Sequence, residues 1–107
     1  MISILLADDH QVVRAGLGAI LKLHPDLDVA GEAADGAAAI EAYRQLRPDV
    51  VVMDLKMPGM SGWQAISALR REFPDCRVLV LTTLLGDEDI YRALEAGETR
   101  GSTILTV

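Results

Sequence analysis

The sequence has little of several residue types that would mark particular classes of protein. Only one of its 107 residues is a cysteine, so no internal disulfide can form, and aromatic residues make up only 4% of the chain. A single cysteine does not indicate a disulfide-stapled secreted protein and fits a reducing compartment. Because Cys76 begins an apolar run, we predict a buried or half-buried and unreactive thiol there.

Long hydrophobic runs are absent, and basic residues are few. No stretch approaches the roughly 18 apolar residues that a membrane-spanning helix needs, and the early acidic residues do not fit a signal peptide. The 10 lysines and arginines are outnumbered by 16 aspartates and glutamates, which gives a net charge of −6. Such a surface repels a phosphate backbone. We therefore expect a cytoplasmic protein with no membrane segment and no nucleic-acid binding of its own.

The length and the overall composition, with 50% hydrophobic and 24% charged residues, are those of one globular domain. Short apolar runs typical of buried strands occur at residues 2–7, 29–33, 50–53, 78–81 and 103–107. Between them, helical spacing of apolar residues occurs at 13–21, 39–47, 66–73 and 90–97. Alternating strands and helices in a chain of this size predict an α/β fold, a doubly wound parallel sheet covered on both faces.

Polar residues that could bind a ligand or react follow three of the predicted strands. Asp8 and Asp9 follow the first strand, Asp54 follows the third, and Thr82 and Thr83 follow the fourth. Doubly wound sheets bind ligands outside the carboxyl ends of their strands. Three carboxylates gathered there repel one another unless a cation or a raised pKa relieves them; a divalent cation is the simplest relief, and a set of oxygen ligands favours Mg²⁺. Asp54 would then be a carboxylate nucleophile, and Thr82 a hydroxyl donor to a phosphoryl oxygen.

Each of these residues also has an ordinary structural interpretation. An aspartate after a strand is often only a turn or helix-cap residue, and threonine is common in strands. It is their joint position at three strand ends that favours a site. His10, which follows the acidic pair, is interpreted as a solvent-facing residue at the start of a helix, with tuning of a metal site as the alternative. Asp35 is expected to cap the helix that follows it.

Three segments together resemble the signatures of bacterial response regulator receiver domains: LLADDH at 5–10, DLKMPGMSG at 54–62 and VLTT at 80–83. The resemblance covers residues 1 to about 97. The Asp-Asp-His start and VAGEA at 29–33 are similar to the NarL/LuxR-type transcription regulators. This implies a flavodoxin-like receiver fold with five strands in the order 2-1-3-4-5.

The resemblance also implies a function for the acidic residues. Asp54 would take a phosphoryl group from a partner histidine kinase, by self-catalysed acceptance on the receiver rather than enzymatic turnover. Asp9 would bind Mg²⁺ directly, Asp8 would act chiefly through water, and Asp54 and the backbone carbonyl of Lys56 would complete the protein ligands. In that family DNA is bound through a C-terminal helix-turn-helix output domain, of which nothing is present in this sequence.

The same resemblance assigns roles to three residues around the acceptor. Thr82 would bind the phosphoryl group and turn inward on phosphorylation. Thr83 would border the access path and tune hydrolysis of the acyl phosphate. Pro58 would shape the loop that closes over the site, since its ring fixes its own φ angle.

The sequence departs from the family near its end. Receivers carry a lysine at the end of the fifth strand, but no lysine follows Lys56 here; Ile104 or Leu105 stands in its place, and Ser102 stands near the expected aromatic. The last helix is missing as well. We favour one receiver domain over 1–107 that is truncated or altered after about residue 97. A natural degenerate receiver, or one that completes its fold as a homodimer, stays open.

Three rival functions remain beside the leading one. A non-phosphorylatable pseudo-receiver that acts as a protein-interaction module is compatible with the missing lysine. A flavodoxin-type cofactor binder shares the sheet but needs a phosphate cradle where this chain has carboxylates. An aspartyl-phosphate hydrolase usually has a second aspartate two residues after its nucleophile, where this chain has Lys56.

Overall fold

The computed structural model describes residues 1–82 and 102–106. Within these residues, strands and helices follow one another in the predicted alternation. The elements are β1 Ile2–Ala7, α1 Gln11–Leu21, β2 Leu27–Ala33, α2 Gly36–Leu46, β3 Val50–Asp54, α3 Gly62–Glu72, β4 Val78–Thr82 and β5 Ser102–Thr106. The helical pattern predicted at 90–97 lies outside the described residues, as does Thr83.

The five strands form one parallel sheet in the order β2-β1-β3-β4-β5, which confirms the order that the resemblance implied. The chain moves outward from β1 to β2 and then returns to place β3 on the other side of β1, so the switch point lies between β1 and β3. Ala7 of β1 pairs with Met53 of β3 in the parallel register. The residues that follow them, Asp8 and Asp54, therefore leave the sheet side by side.

The two helices beyond β2 begin at side-chain caps. Asp35 Oδ1 accepts a hydrogen bond of 2.7 Å from the Ala38 N–H, which confirms the predicted cap of α2. Ser61 and Gln64 form a reciprocal capping box at the start of α3. Such caps satisfy N–H groups that have no partner within the helix. They fix where α3 starts, directly after the loop that follows Asp54.

The main core lies between the sheet and the pair α2 and α3. Alternate residues of the central strands point into it, as a strand period of two requires. Its most buried members include Leu5, Val51, Met53, Val78 and Val80 from the sheet and Ala39, Ala65, Ile66 and Leu69 from the helices. Cys76 is only 1% exposed at the edge of this core, which confirms the predicted burial of its thiol.

The opposite face of the sheet carries α1, and this helix is much less buried. The spacing of Val13, Leu17, Ile20 and Leu21 correctly predicted a helix. Yet Val13 is 40% exposed and Ile20 58% exposed, and Gly18 is the one fully buried residue of the helix. None of the described helices has the length and apolar character that a membrane crossing requires.

Candidate functional site

The acidic pair lies at the carboxyl end of β1. Asp8 is buried, and its backbone N–H extends the pairing of the sheet by donating to the Ala33 carbonyl at 3.0 Å. Its Oδ1 accepts a hydrogen bond of 2.8 Å from the His10 backbone N–H. Asp9 is less buried as a whole, but its Oδ1 is buried and accepts no hydrogen bond within the described part of the chain. A buried carboxylate oxygen that accepts no hydrogen bond is chemically suited to coordinate a cation.

Asp54 ends β3 with its carboxylate half-buried beside the acidic pair. Its Oδ1 accepts a hydrogen bond of 3.1 Å from the Lys56 backbone N–H, which orients the carboxylate. Burial raises the pKa of Asp54 above its ordinary value, and the negative charges of Asp8 and Asp9 raise it further. The Lys56 N–H and the nearby His10 oppose that increase. A carboxylate in this position therefore gains from a neighbouring cation.

The structure brings the three predicted carboxylates together. One carboxylate oxygen each from Asp8, Asp9 and Asp54, with a ring nitrogen of His10, lie within 4.8 Å of one another. Three carboxylates suit a hard cation such as Mg²⁺, which binds oxygen ligands and keeps several waters. Asp9 Oδ1, which is buried and accepts no hydrogen bond within the described residues, adds an oxygen ligand to the cluster. The residues present therefore fit a divalent cation.

His10 contacts the acidic pair more closely than its sequence position suggested. Its side chain is 65% exposed and makes no capping bond to α1, which agrees with a solvent-facing start of the helix. Its Nδ1, however, lies 3.2 Å from Asp8 Oδ1 and 3.0 Å from Asp9 Oδ1. The hydrogen bond to Asp8, followed by the charge of Asp9, raises the pKa of the imidazole. The exposure of the ring therefore agrees with the solvent-facing interpretation, and tuning of a metal site stays a prediction.

Arg14 is a site residue that sequence reasoning missed. Its Nη1 donates to the backbone carbonyl of Asp8, and its Nε donates to Glu32 Oε1 at 3.0 Å. The side chain is only 16% exposed, so the guanidinium is held between α1 and the end of the sheet. A basic residue one helical turn after His10 was the available signal, since residues four apart in a helix share a face. Arg14 fixes the backbone from which the acidic pair projects.

The loop after Asp54 is held against the backbone of Asp54 itself. The Gly62 N–H donates to the Leu55 carbonyl at 2.9 Å. A Cβ on Gly62 would lie 2.0 Å from the Asp54 carbonyl oxygen, so only glycine allows this approach. In the loop between Leu55 and Gly62, Gly59 adopts a φ of 72° and Pro58 is exposed. The first turn of α3 is therefore in direct contact with the end of β3.

The threonines belong to the neighbouring strand. Thr82 is the last residue of β4, and Asp54 pairs with Leu81 immediately before it. The backbone of Thr82 thus reaches the same edge of the sheet as the carboxylates, paired on its other side with Thr106. The coordinating role predicted for the Lys56 carbonyl and the loop role of Pro58 stay predictions.

Comparison with known proteins agrees with this arrangement. The response regulator receiver domain family matches residues 4–100. The transcriptional regulatory protein LiaR of Bacillus subtilis is 45% identical over 97 residues, which are 91% of this chain and 46% of LiaR. The response regulator VraR of Staphylococcus aureus is 41% identical over 96 residues, 90% of this chain and 46% of VraR. The chain thus spans about half the length of these relatives.

Solved structures give the same result. A LuxR-family response regulator from Aurantimonas sp. SI85-9A1 aligns with a TM-score of 0.90 and 36% identity, over 99% of this chain and 74% of that one. The receiver domain of NarL from Mycobacterium tuberculosis aligns with a TM-score of 0.87 and 36% identity, over 97% of this chain and 82% of that one. The match is to a signalling domain and not to a classical enzyme. The chain belongs to the response regulator receiver domain family, among receivers of the NarL/LuxR type.

Proposed function

We propose that Asp54 is the phosphoacceptor of this receiver and takes a phosphoryl group from a phosphohistidine of a partner histidine kinase. The observation that carries the proposal is the convergence of Asp8, Asp9 and Asp54 within 4.8 Å at the switch point of the sheet. A half-buried carboxylate beside two others is an unfavourable arrangement unless a cation or a raised pKa relieves it, and a cation held there would in turn attract a phosphoryl group.

The environments of the aspartates favour Asp54 as the nucleophile. Asp8 is buried, and its Oδ1 is engaged by the backbone and ring of His10. Asp54 ends a rigid central strand, is more exposed, and is oriented by one N–H donor. Its carboxylate oxygen attacks phosphorus, and the phosphorus–nitrogen bond of the donor breaks with its electron pair leaving on the histidine. The product is an acyl phosphate on Asp54 and a free histidine.

The proposed cation is Mg²⁺; Asp9, Asp54 and the carbonyl of Lys56 would hold it directly, and Asp8 would act chiefly through water. When bound, it offsets the negative charge of the carboxylates and of the transferring phosphoryl group. The chain's own residues supply the frame. Arg14 holds the backbone of Asp8, and the Lys56 N–H orients Asp54.

Three further residues have proposed roles around the phosphoryl group. The Thr82 hydroxyl would donate to a phosphoryl oxygen, and Thr83 would border the path by which water reaches the acyl phosphate. Pro58 would shape the loop between β3 and α3. The proposal takes these roles from the family resemblance, and the position of Thr82 at the end of β4 is compatible with them.

The absent lysine favours a second candidate, a pseudo-receiver that acts only through protein contacts. No lysine follows Lys56 in the sequence, and β5 carries none at Ser102–Thr106. Without that cation, phosphoryl binding and its coupling to the output are expected to weaken more than Mg²⁺ binding does. The acidic cluster supports the first candidate, since a contact module has no need of it.

The proposal extends to the longer protein of which this chain would be the receiver. Its relatives are about twice as long and include transcription regulators, so we place a helix-turn-helix output domain in that protein and assign DNA binding to it. The receiver would span 1–107, with its departure from the family after about residue 97. We also propose a cytoplasmic location for the protein. The protein would be a monomer or a homodimer.

The proposal is tested by incubating the chain with Mg²⁺ and acetyl phosphate and measuring its intact mass. We expect one phosphoryl adduct, lost in Asp54→Asn and on removal of Mg²⁺ with a chelator. Asp49→Asn is the matched control, because Asp49 is an exposed aspartate that bonds Ser3 away from the cluster. No adduct from a folded chain that binds Mg²⁺ would instead support the pseudo-receiver.

A further inference from the structure

The imidazole of His10 occupies a position between the two carboxylates at the end of β1. Its Nδ1 lies 3.2 Å from Asp8 Oδ1 and 3.0 Å from Asp9 Oδ1. The first contact is a hydrogen bond. The second lacks hydrogen-bond geometry, and Asp9 Oδ1 remains buried and unsatisfied. The ring is therefore close enough to block this oxygen without satisfying it.

We propose that His10 is a positioning residue that bridges Asp8 and Asp9 in the metal-free site and must move away from Asp9 before the cation binds. The inference rests on the proposed function, in which Asp9 is a direct ligand. It adds to the metal ligands a side chain that sets their affinity for Mg²⁺ without coordinating the ion.

The surroundings of the ring allow this movement. The His10 side chain is 65% exposed and makes no capping bond to α1, so, among the described residues, the polar contacts that rotation toward solvent breaks are those with the two carboxylates. Its backbone N–H, which donates to Asp8 Oδ1, does not depend on the position of the ring. The imidazole can therefore rotate away from the carboxylates while the backbone of His10 stays hydrogen-bonded to Asp8.

The sign of the effect follows from which state the ring stabilises. A side chain that favours the metal-free protein weakens cation binding by the same factor. Loss of the ring could also weaken Mg²⁺ binding by leaving the carboxylate of Asp8 less well positioned, but only if no other group held Asp8 in place. Arg14 at the Asp8 carbonyl and the His10 N–H at its carboxylate both remain in a side-chain variant. Removal of the imidazole should therefore tighten Mg²⁺ binding.

The test compares Mg²⁺ affinities of the wild type, His10→Phe, His10→Gln and His24→Phe at one fixed pH. Trp63, the only tryptophan, lies next to Gly62 and serves as the fluorescence probe. Phenylalanine keeps a ring but removes the donor, and glutamine restores a donor. His24, the other histidine, is exposed beyond the end of α1 and is the matched control.

We expect His10→Phe to lower the dissociation constant for Mg²⁺ about five- to tenfold, which is the scale of the net contribution of one ordinary hydrogen bond. His10→Gln should fall between that variant and the wild type, and His24→Phe should match the wild type. In the wild type, Mg²⁺ should also shift the NMR signals of the His10 ring nitrogens. A His10→Phe affinity equal to or weaker than wild type, in folded protein, would overturn the inference, as would unmoved ring signals.

The outcomes separate this inference from the proposed function. If the wild type binds Mg²⁺ and forms the adduct on Asp54 but His10→Phe changes nothing, only the role of His10 fails. If the wild type binds no Mg²⁺ at millimolar concentration, the proposed metal site fails, and the inference falls with it.

Discussion

Gly62 lies against the backbone of Asp54 so closely that a Cβ at this position would be 2.0 Å from the Asp54 carbonyl oxygen and 2.7 Å from the Leu55 Cα. The N-terminal turn of α3 and the backbone of Asp54 are thus in direct contact. Because backbone cannot yield as the end of a flexible side chain does, the position of α3 depends on that of the Asp54 backbone. A change in one is expected to displace the other.

Gly62→Ala should therefore destabilise the fold and impair phosphorylation together. The methyl group of alanine would clash with the backbone of Asp54 and Leu55. We expect the free energy of unfolding, measured by urea denaturation, to fall by about 3 kcal/mol. The rate of adduct formation with acetyl phosphate should fall as α3 is displaced. Gly16→Ala is the matched control, since a Cβ there meets nothing within 4 Å. It lies inside α1 and should gain about 0.5–1 kcal/mol. Equal stability of the two variants would contradict this account.

Arg14→Ala should loosen the acidic pair. The change removes the donor to the Asp8 carbonyl and the partner of Glu32. An unsatisfied, poorly exposed carbonyl costs about 1–3 kcal/mol, so the urea midpoint should fall, and Mg²⁺ should bind more weakly. Lys22→Ala removes an exposed cation at the end of the same helix and should leave both quantities unchanged. Unchanged Mg²⁺ affinity in Arg14→Ala would show that Asp8 is held by other groups.

The ion pair between α2 and α3 gives a prediction for acid pH. Arg44 donates to Glu72 through Nε and Nη2, both at 2.8 Å. These hydrogen bonds lower the pKa of Glu72 below its ordinary value. A carboxylate with a lowered folded-state pKa stabilises the protein fully above its unfolded pKa, and this stabilisation is lost as the pH falls through the folded pKa.

We therefore expect an NMR titration of the Glu72 carboxyl to give a pKa below the ordinary glutamate value in the wild type. Arg44→Gln should return it toward that value and flatten the loss of stability at acid pH. Arg71→Gln removes an exposed charge from the same last turn of α3 and is the control. A Glu72 pKa that is the same with and without Arg44 would show that the pair does not persist in solution.

Much of this architecture can be predicted from the sequence because it depends on local periodicity. Apolar runs and helical spacing identify the described strands and helices, although β2 begins at Leu27 rather than at the predicted residue 29. The parallel sheet then brings Asp8, Asp9 and Asp54 together, because residues that follow paired strands share one edge. Asp35 was predicted as a cap for the same local reason.

Features that depend on three-dimensional packing were not accessible in this way. Helical spacing in α1 gives an apolar face but not what covers it, so the exposure of Val13 and Ile20 could not be predicted. The contact of Arg14 with the Asp8 carbonyl depends on how α1 lies across the sheet. His10 was assigned to solvent, and its distance from two carboxylates emerges only from the turn after β1. Thr83 and the tail after residue 97, apart from β5, lie outside the described residues.

The measurement that tests the central claim most directly is the location of the phosphoryl group. The chain is phosphorylated with acetyl phosphate and Mg²⁺ and reduced with borohydride, which converts an aspartyl phosphate to homoserine, and its peptides are sequenced by tandem mass spectrometry. The account predicts homoserine at position 54 alone, and none without Mg²⁺. Homoserine at Asp8 or Asp9, or a Mg²⁺-binding chain that is never modified, would contradict the assignment of Asp54 as the phosphoacceptor.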